Sequence, residues 1–104
     1  MKVKEYTRFT RTTAKYKQQP VRPEIQGLLY LGLALAGEVG EVANEIKKVF
    51  RENKTIEEAK PKIVEELGDS IWYMVRLVDE LGYTLEEVMS LNKAKLEKRQ
   101  LNDS

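Results

Sequence analysis

An all-α bundle is the fold class this sequence predicts, and three observations predict it. Two long segments repeat apolar residues at every third or fourth position, no segment alternates with the two-residue period of a strand, and Leu, Ile, Val, Glu and Lys are abundant. A chain of 104 residues is one domain over 1–104, and 41% hydrophobic residues build a core, though a small one. The expected architecture is two long antiparallel helices, a C-terminal helix and a shorter N-terminal helix, completed by oligomerisation.

The elements follow in order. Residues 3–16, VKEYTRFTRTTAKY, carry helical periodicity through Val3, Tyr6, Phe9 and Thr13 and read as the short first helix, weakened by their threonines. They belong to a basic N-terminal segment, 1–22, with seven Lys or Arg against the single acid Glu5. Pro20 and Pro23 mark a linker, and Pro23 suits the first turn of the next helix. From about Glu24 to Arg51, Leu28, Leu31, Leu35, Val39, Val42, Ile46 and Val49 form one apolar stripe. Residues 52–60 read as a polar connection holding a short capped turn at Thr55 and Glu58, with a second long helix starting at Pro61. Its stripe is Ile63, Leu67, Ile71, Met74, Leu77, Val78 and Leu81, ended by Gly82. Thr84 and Glu87 form a capping box that opens the last helix, which runs to about Arg99 and leaves 100–104 as a frayed tail.

Composition removes several kinds of chemistry. A formal net charge of +1 argues against a dedicated nucleic-acid binder. The chain has no cysteine, hence no disulfide and no zinc–thiolate site, and no run of 18 consecutive apolar residues or apolar N-terminal signal, so a cytoplasmic protein without a membrane span is expected. Histidine is absent as well, which takes away the commonest general base and the commonest transition-metal ligand together. A di-iron bundle, which needs Glu-x-x-His, is excluded on the same ground.

What remains is carboxylate chemistry. EVGE at 38–41 and ELGD at 66–69 place two acids three residues apart on each long helix. At about 100° per residue, Glu38, Glu41 and Glu45 fall in a stripe about 60° wide beside the apolar stripe, and Glu66, Asp69 and Tyr73 do the same on the second helix. When the apolar faces pack, the acidic edges can meet along one side of the seam. Carboxylates crowded at a partly buried edge repel each other and call for a positive charge. Oxygen-only ligands select a hard cation, Mg²⁺ or Mn²⁺, and a magnesium site open on one side points to phosphate chemistry. Exposed acidic pairs are also common on solvated helix faces, so a non-enzymatic helical dimerisation or interaction module is the alternative. Gly37, Gly40 and Gly68 beside the acids signal either close helix approach or room for a ligand, and Trp72 is expected in the core or an interface.

GLALAGEVGEVANEIKKVFR followed by IVEELGDSIWYMVRLVDELGYTLEEVMSLNKAKLEKR closely resembles the MazG-like nucleotide pyrophosphohydrolases of the all-α NTP pyrophosphatase superfamily. The resemblance runs from about Gly32 to Arg99, and its core is the ExxE, spacer, ExxD signature, here Glu38, Glu41, Glu66 and Asp69 with 24 residues between Glu41 and Glu66. It implies Mg²⁺, with Mn²⁺ as a substitute, held by those four carboxylates, and hydrolysis of a (deoxy)nucleoside triphosphate to the monophosphate and pyrophosphate. It implies that Glu38 or Glu41 orients or deprotonates the attacking water. Asn92, Lys95 and Arg99 match an NxxKxxxR pattern that helps hold phosphates in relatives, and Tyr73 stands near an aromatic used against the nucleotide. Relatives are dimers or tetramers, so a homodimer or homotetramer is implied. Gly37 departs from relatives that carry a further glutamate before the first motif acid. Glu45 and Glu65 are therefore added as candidate acid/base groups, Glu65 being the weaker because it lies about 100° round the helix from Glu66.

Overall fold

The computed structural model describes residues 1–16 and 23–103, with no strand among them. Four helices follow one another: α1 (Val3–Thr13), α2 (Pro23–Arg51), α3 (Ile56–Glu80) and α4 (Leu85–Asp103). The linker mark at Pro20 lies outside the described residues, whereas Pro23 is the first residue of α2, where its missing N–H costs no hydrogen bond.

Helix boundaries follow capping chemistry. After α2 the chain turns at Asn53, φ 53°, and the Lys54 N–H reaches back to the Val49 carbonyl at 3.2 Å. Asparagine tolerates this left-handed position, so a four-residue turn (52–55) suffices to reverse the chain. Helix α3 then starts at Ile56, five residues before the start expected from Pro61. The Thr55 hydroxyl accepts from the Glu58 N–H at 3.1 Å while the Glu58 carboxylate accepts from the Thr55 N–H, a complete capping box that outweighs the proline. Pro61 is accommodated inside the helix. Gly82 closes α3 at φ 78°, with Tyr83 N–H on the Val78 carbonyl and Gly82 N–H on the Asp79 carbonyl. Thr84 and Glu87 cap α4 reciprocally, at 2.9 and 3.1 Å. That helix continues through Asp103, so 100–103 are helical where fraying was expected.

Helices α2 and α3, joined by the short turn, form the main packed pair, and α1 lies against α3, whereas α4 buries no residue and meets α3 only sparsely. Among the described residues the fully enclosed apolar side chains are few: Leu31 and Val75, with Ala59 near the turn. Much of the expected core stripe stays open in one chain, since Val39, Ile46, Leu67, Ile71 and Met74 are each more than two-fifths exposed. The radius of gyration, 17.0 Å, exceeds the ~13 Å of a compact domain this long. By length and mean hydropathy alone, α2 from Ile25 to Arg51 is long and apolar enough to cross a membrane, although it holds no 18 consecutive apolar residues. A core helix passes the same criteria, and α2 packs along α3.

Candidate active site

The acidic motifs meet at the α2–α3 seam. Glu38 on α2 and Glu66 and Asp69 on α3 each offer a carboxylate oxygen, and these oxygens lie within 4.8 Å of one another. Glu66 is buried, Glu38 half-buried and Asp69 exposed, so the cluster opens outward on the Asp69 side. Burial raises the pKa of Glu38 first, and the charges of Asp69, Glu66 and Glu41 raise it further. Among the described residues the cation paired with the cluster is Lys62, whose Nζ stands 3.6 Å from Glu66 Oε1 and is shared with Glu65. Three oxygen donors in mutual repulsion fit a hard divalent cation.

A cleft of about 500 Å³ begins at Glu38 and Asp69. Its walls are Tyr30 from α2, Trp72 and Tyr73 from α3, and Thr13, Lys15 and Tyr16 from the end of α1 and the residues after it. Tyr16 stacks on Tyr30 with ring centroids 5.3 Å apart, and Trp72 meets Tyr73 edge-on at 4.9 Å. Burial raises the Tyr73 phenol, helped by the Tyr30 hydroxyl and then by the charges of Glu38 and Asp69. Trp72 was expected in the core or an interface; instead it lines the cleft, and its Nε1 donates to Thr13 Oγ1 at 2.8 Å. The helical angle that turns Trp72 away from Glu66 turns it toward α1, a neighbour the angle alone does not reveal.

The remaining sequence candidates are distributed otherwise. Glu41 is exposed one turn beyond Glu38, close enough to act on its charge but outside the three-carboxylate cluster. Glu45 is buried and paired with Lys48 Nζ at 3.0 Å, and Glu65 is exposed and paired with Lys62 at 3.4 Å. Asn92, Lys95 and Arg99 are exposed on α4, and no α4 residue is among the described residues lining the cleft. A Cβ built at Gly37, Gly40 or Gly68 would meet nothing within 4 Å. Of the two explanations for these glycines, close helix approach does not occur within the single chain.

Helix α1 is fastened to α3 by polar groups. Arg11 forks onto Asp79 at 2.6 and 2.8 Å, buried Arg76 donates to Asp79 at 2.8 Å and to Thr10 Oγ1 at 3.2 Å, and the Tyr16 hydroxyl donates to Glu80 at 2.6 Å. Asp79 is consequently held at about 2, chiefly by the Arg11 hydrogen bonds with Arg76 adding to them.

The family model of the MazG nucleotide pyrophosphohydrolase domain matches residues 26–102. The chain belongs to that family. Among curated relatives, the Gene 37 protein of Mycobacterium phage L5 is 38% identical over 77 residues, which cover 72% of this chain and 68% of that protein. No solved structure matches the chain. The MazG region contains both acidic motifs, Tyr30, Trp72, Tyr73 and the α4 candidates, whereas Thr13, Lys15 and Tyr16 precede it. Sequence reasoning did not single out these three as site residues, and their one visible signal was a Lys-Tyr pair in a basic arm.

Proposed function

We propose that this MazG-family chain hydrolyses a (deoxy)nucleoside triphosphate to the monophosphate and pyrophosphate with Mg²⁺, for which Mn²⁺ can substitute. The observation that carries the reading is the convergence of Glu38, Glu66 and Asp69 from two helices at the mouth of an aromatic-walled cleft. Those three would hold the ion, with Glu41 beside them on α2. Such an ion supplies positive charge to the polyphosphate and makes water at the site more acidic.

The chain's own groups do the rest. Water attacks the α-phosphorus, and the bond from that phosphorus to the α,β-bridging oxygen breaks. Glu38 or Glu41 orients the water and takes its proton, since no histidine is present. Tyr73 and the facing aromatics receive the nucleoside. Asn92, Lys95 and Arg99 share one face of α4, and contact between them and the phosphates is proposed to come from a second copy, because α4 lines no part of its own cleft. The open apolar faces of α2 and α3 support a homodimer or homotetramer.

A screen of canonical and damaged nucleotides with Mg²⁺, read by pyrophosphate release, tests the activity. At least one triphosphate should yield pyrophosphate and monophosphate in equal amounts, and EDTA should stop it. No release with either metal, together with no thermal stabilisation by them, would favour the interaction module. Light scattering after size-exclusion chromatography tests assembly, and an active 12.0 kDa monomer would overturn it.

A further inference from the structure

A triphosphate brings about four negative charges to a site that already holds three carboxylates. One divalent ion offsets two of these charges, so a nearby cation is needed to keep the polyphosphate from being repelled. Most basic side chains near the seam are already committed. Arg11 and Arg76 serve Asp79, Lys48 serves Glu45, and Lys62 serves Glu65 and Glu66.

Lys15 is different. It is the only cation among the described residues lining the cleft, it shares that cleft with Glu38 and Asp69, and it forms no ion pair among the described residues. Its neighbours on both sides are tied down: Thr13 accepts from Trp72 Nε1, and Tyr16 is fixed by its hydrogen bond to Glu80 and its stack on Tyr30. A flexible four-carbon stem on an anchored stretch of backbone delivers a point charge suited to a phosphate.

We propose that Lys15 is a substrate-binding residue that contacts the polyphosphate of the nucleotide from within the same chain, held in place by the Thr13–Trp72 and Tyr16–Glu80 contacts. The assignment rests on the nucleotide reading above and adds a binding residue that lies before the family-matched region. It differs in kind from the α4 residues, which would act from another subunit. Lys15 acts on the ground-state complex as well as the transition state, so its loss raises KM more than it lowers kcat.

The experiment is calorimetric titration of a non-hydrolysable α,β-imido triphosphate, and separately of the parent nucleoside, into the full chain with Mg²⁺. It compares wild type, Lys15→Met, Lys15→Arg and Lys4→Met, an exposed cation on α1 that does not line the cleft. Melting temperatures are measured alongside. Lys15→Met should weaken the triphosphate analogue by roughly tenfold or more, the loss typical of one charge-assisted contact. It should leave nucleoside binding and melting temperature unchanged. Lys15→Arg should recover most of the affinity, and Lys4→Met should match wild type. Equal affinity of wild type and Lys15→Met for the analogue overturns the assignment and leaves the hydrolase reading standing. Failure of the wild type to bind any triphosphate overturns both, and analogue binding that depends on Lys15 in a protein that hydrolyses nothing upholds Lys15 while rejecting the hydrolase.

Discussion

Helix α3 carries two acidic groups about three turns apart whose electrostatic fates are opposite. At its middle, Glu66 and Asp69 face Glu38 across the seam, and the crowding holds the Glu38 pKa up. Near its C-terminal end, Asp79 sits between Arg11 and Arg76 and is held down at about 2. The chemistry of the side chains is the same; the partners differ. The first group is short of positive charge and suited to a ligand, whereas the second is neutralised and fastens α1 to the bundle.

The largest effect should come from breaking the first group. Asp69→Asn or Glu38→Gln is expected to reduce pyrophosphate release by at least about 100-fold, since even residues behind metal ligands typically cost 10–100-fold when changed. The metal-free protein should melt no lower than wild type, because a repelling charge has gone. Glu41→Gln is expected to lose activity in the same assay, and full activity in Glu41→Gln and Asp69→Asn together would defeat a shared metal site.

Breaking the second group should do the reverse. Asp79→Asn leaves Arg76 buried with a weaker partner, and Arg76 Nε already has none among the described residues. A loss of about 2–3 kcal/mol in urea unfolding is expected, with hydrolysis per folded molecule reduced far less than in Asp69→Asn. The pH dependence gives a sharper form of this test. Because the folded protein holds the Asp79 pKa below its ordinary 3.8, Asp79 contributes stability that is fully present above about pH 4 and disappears as pH falls toward 2. The part of the gap between wild type and Asp79→Asn that arises from this ionisation, at most about 2 kcal/mol, should close over that window. A gap independent of pH would show that Asp79 acts through packing instead.

Smallest is the response to metal. Millimolar Mg²⁺ should stabilise wild type by about 1–3 kcal/mol, by mass action, and should stabilise Asp79→Asn equally. Asp69→Asn should show little or none of this increase in scanning calorimetry. Equal stabilisation of all three proteins would place the ion elsewhere.

The fate of each carboxylate was not equally legible beforehand. Glu38, Glu41, Glu66 and Asp69 could be expected along one edge from spacing, because helical periodicity fixes which residues share an edge and a polar connection lets the two helices pack side by side. Asp79 could not be assigned, since its partner Arg11 lies 68 residues away and only docking of α1 brings them together. The cleft wall was hidden for the same reason. Trp72 looked like a core residue on the helical wheel, and Thr13, Lys15 and Tyr16 lie on a segment whose threonines weaken every helical signal.

The sequence by itself determined the all-α class, the caps at Thr55 and Thr84, the stop at Gly82 and the oxygen-only chemistry of a chain without histidine or cysteine. These depend on neighbours within a few residues or on composition. Tertiary structure alone decided that three carboxylates, with Glu41 standing outside them, close into one cluster, and that the N-terminal segment brings Lys15 and an aromatic wall to its edge. It also decided that α4 leaves that cleft uncovered. The physical reason is range: hydrogen bonding along a helix is set within one turn, while the charge environment of a side chain depends on which distant segment packs beside it.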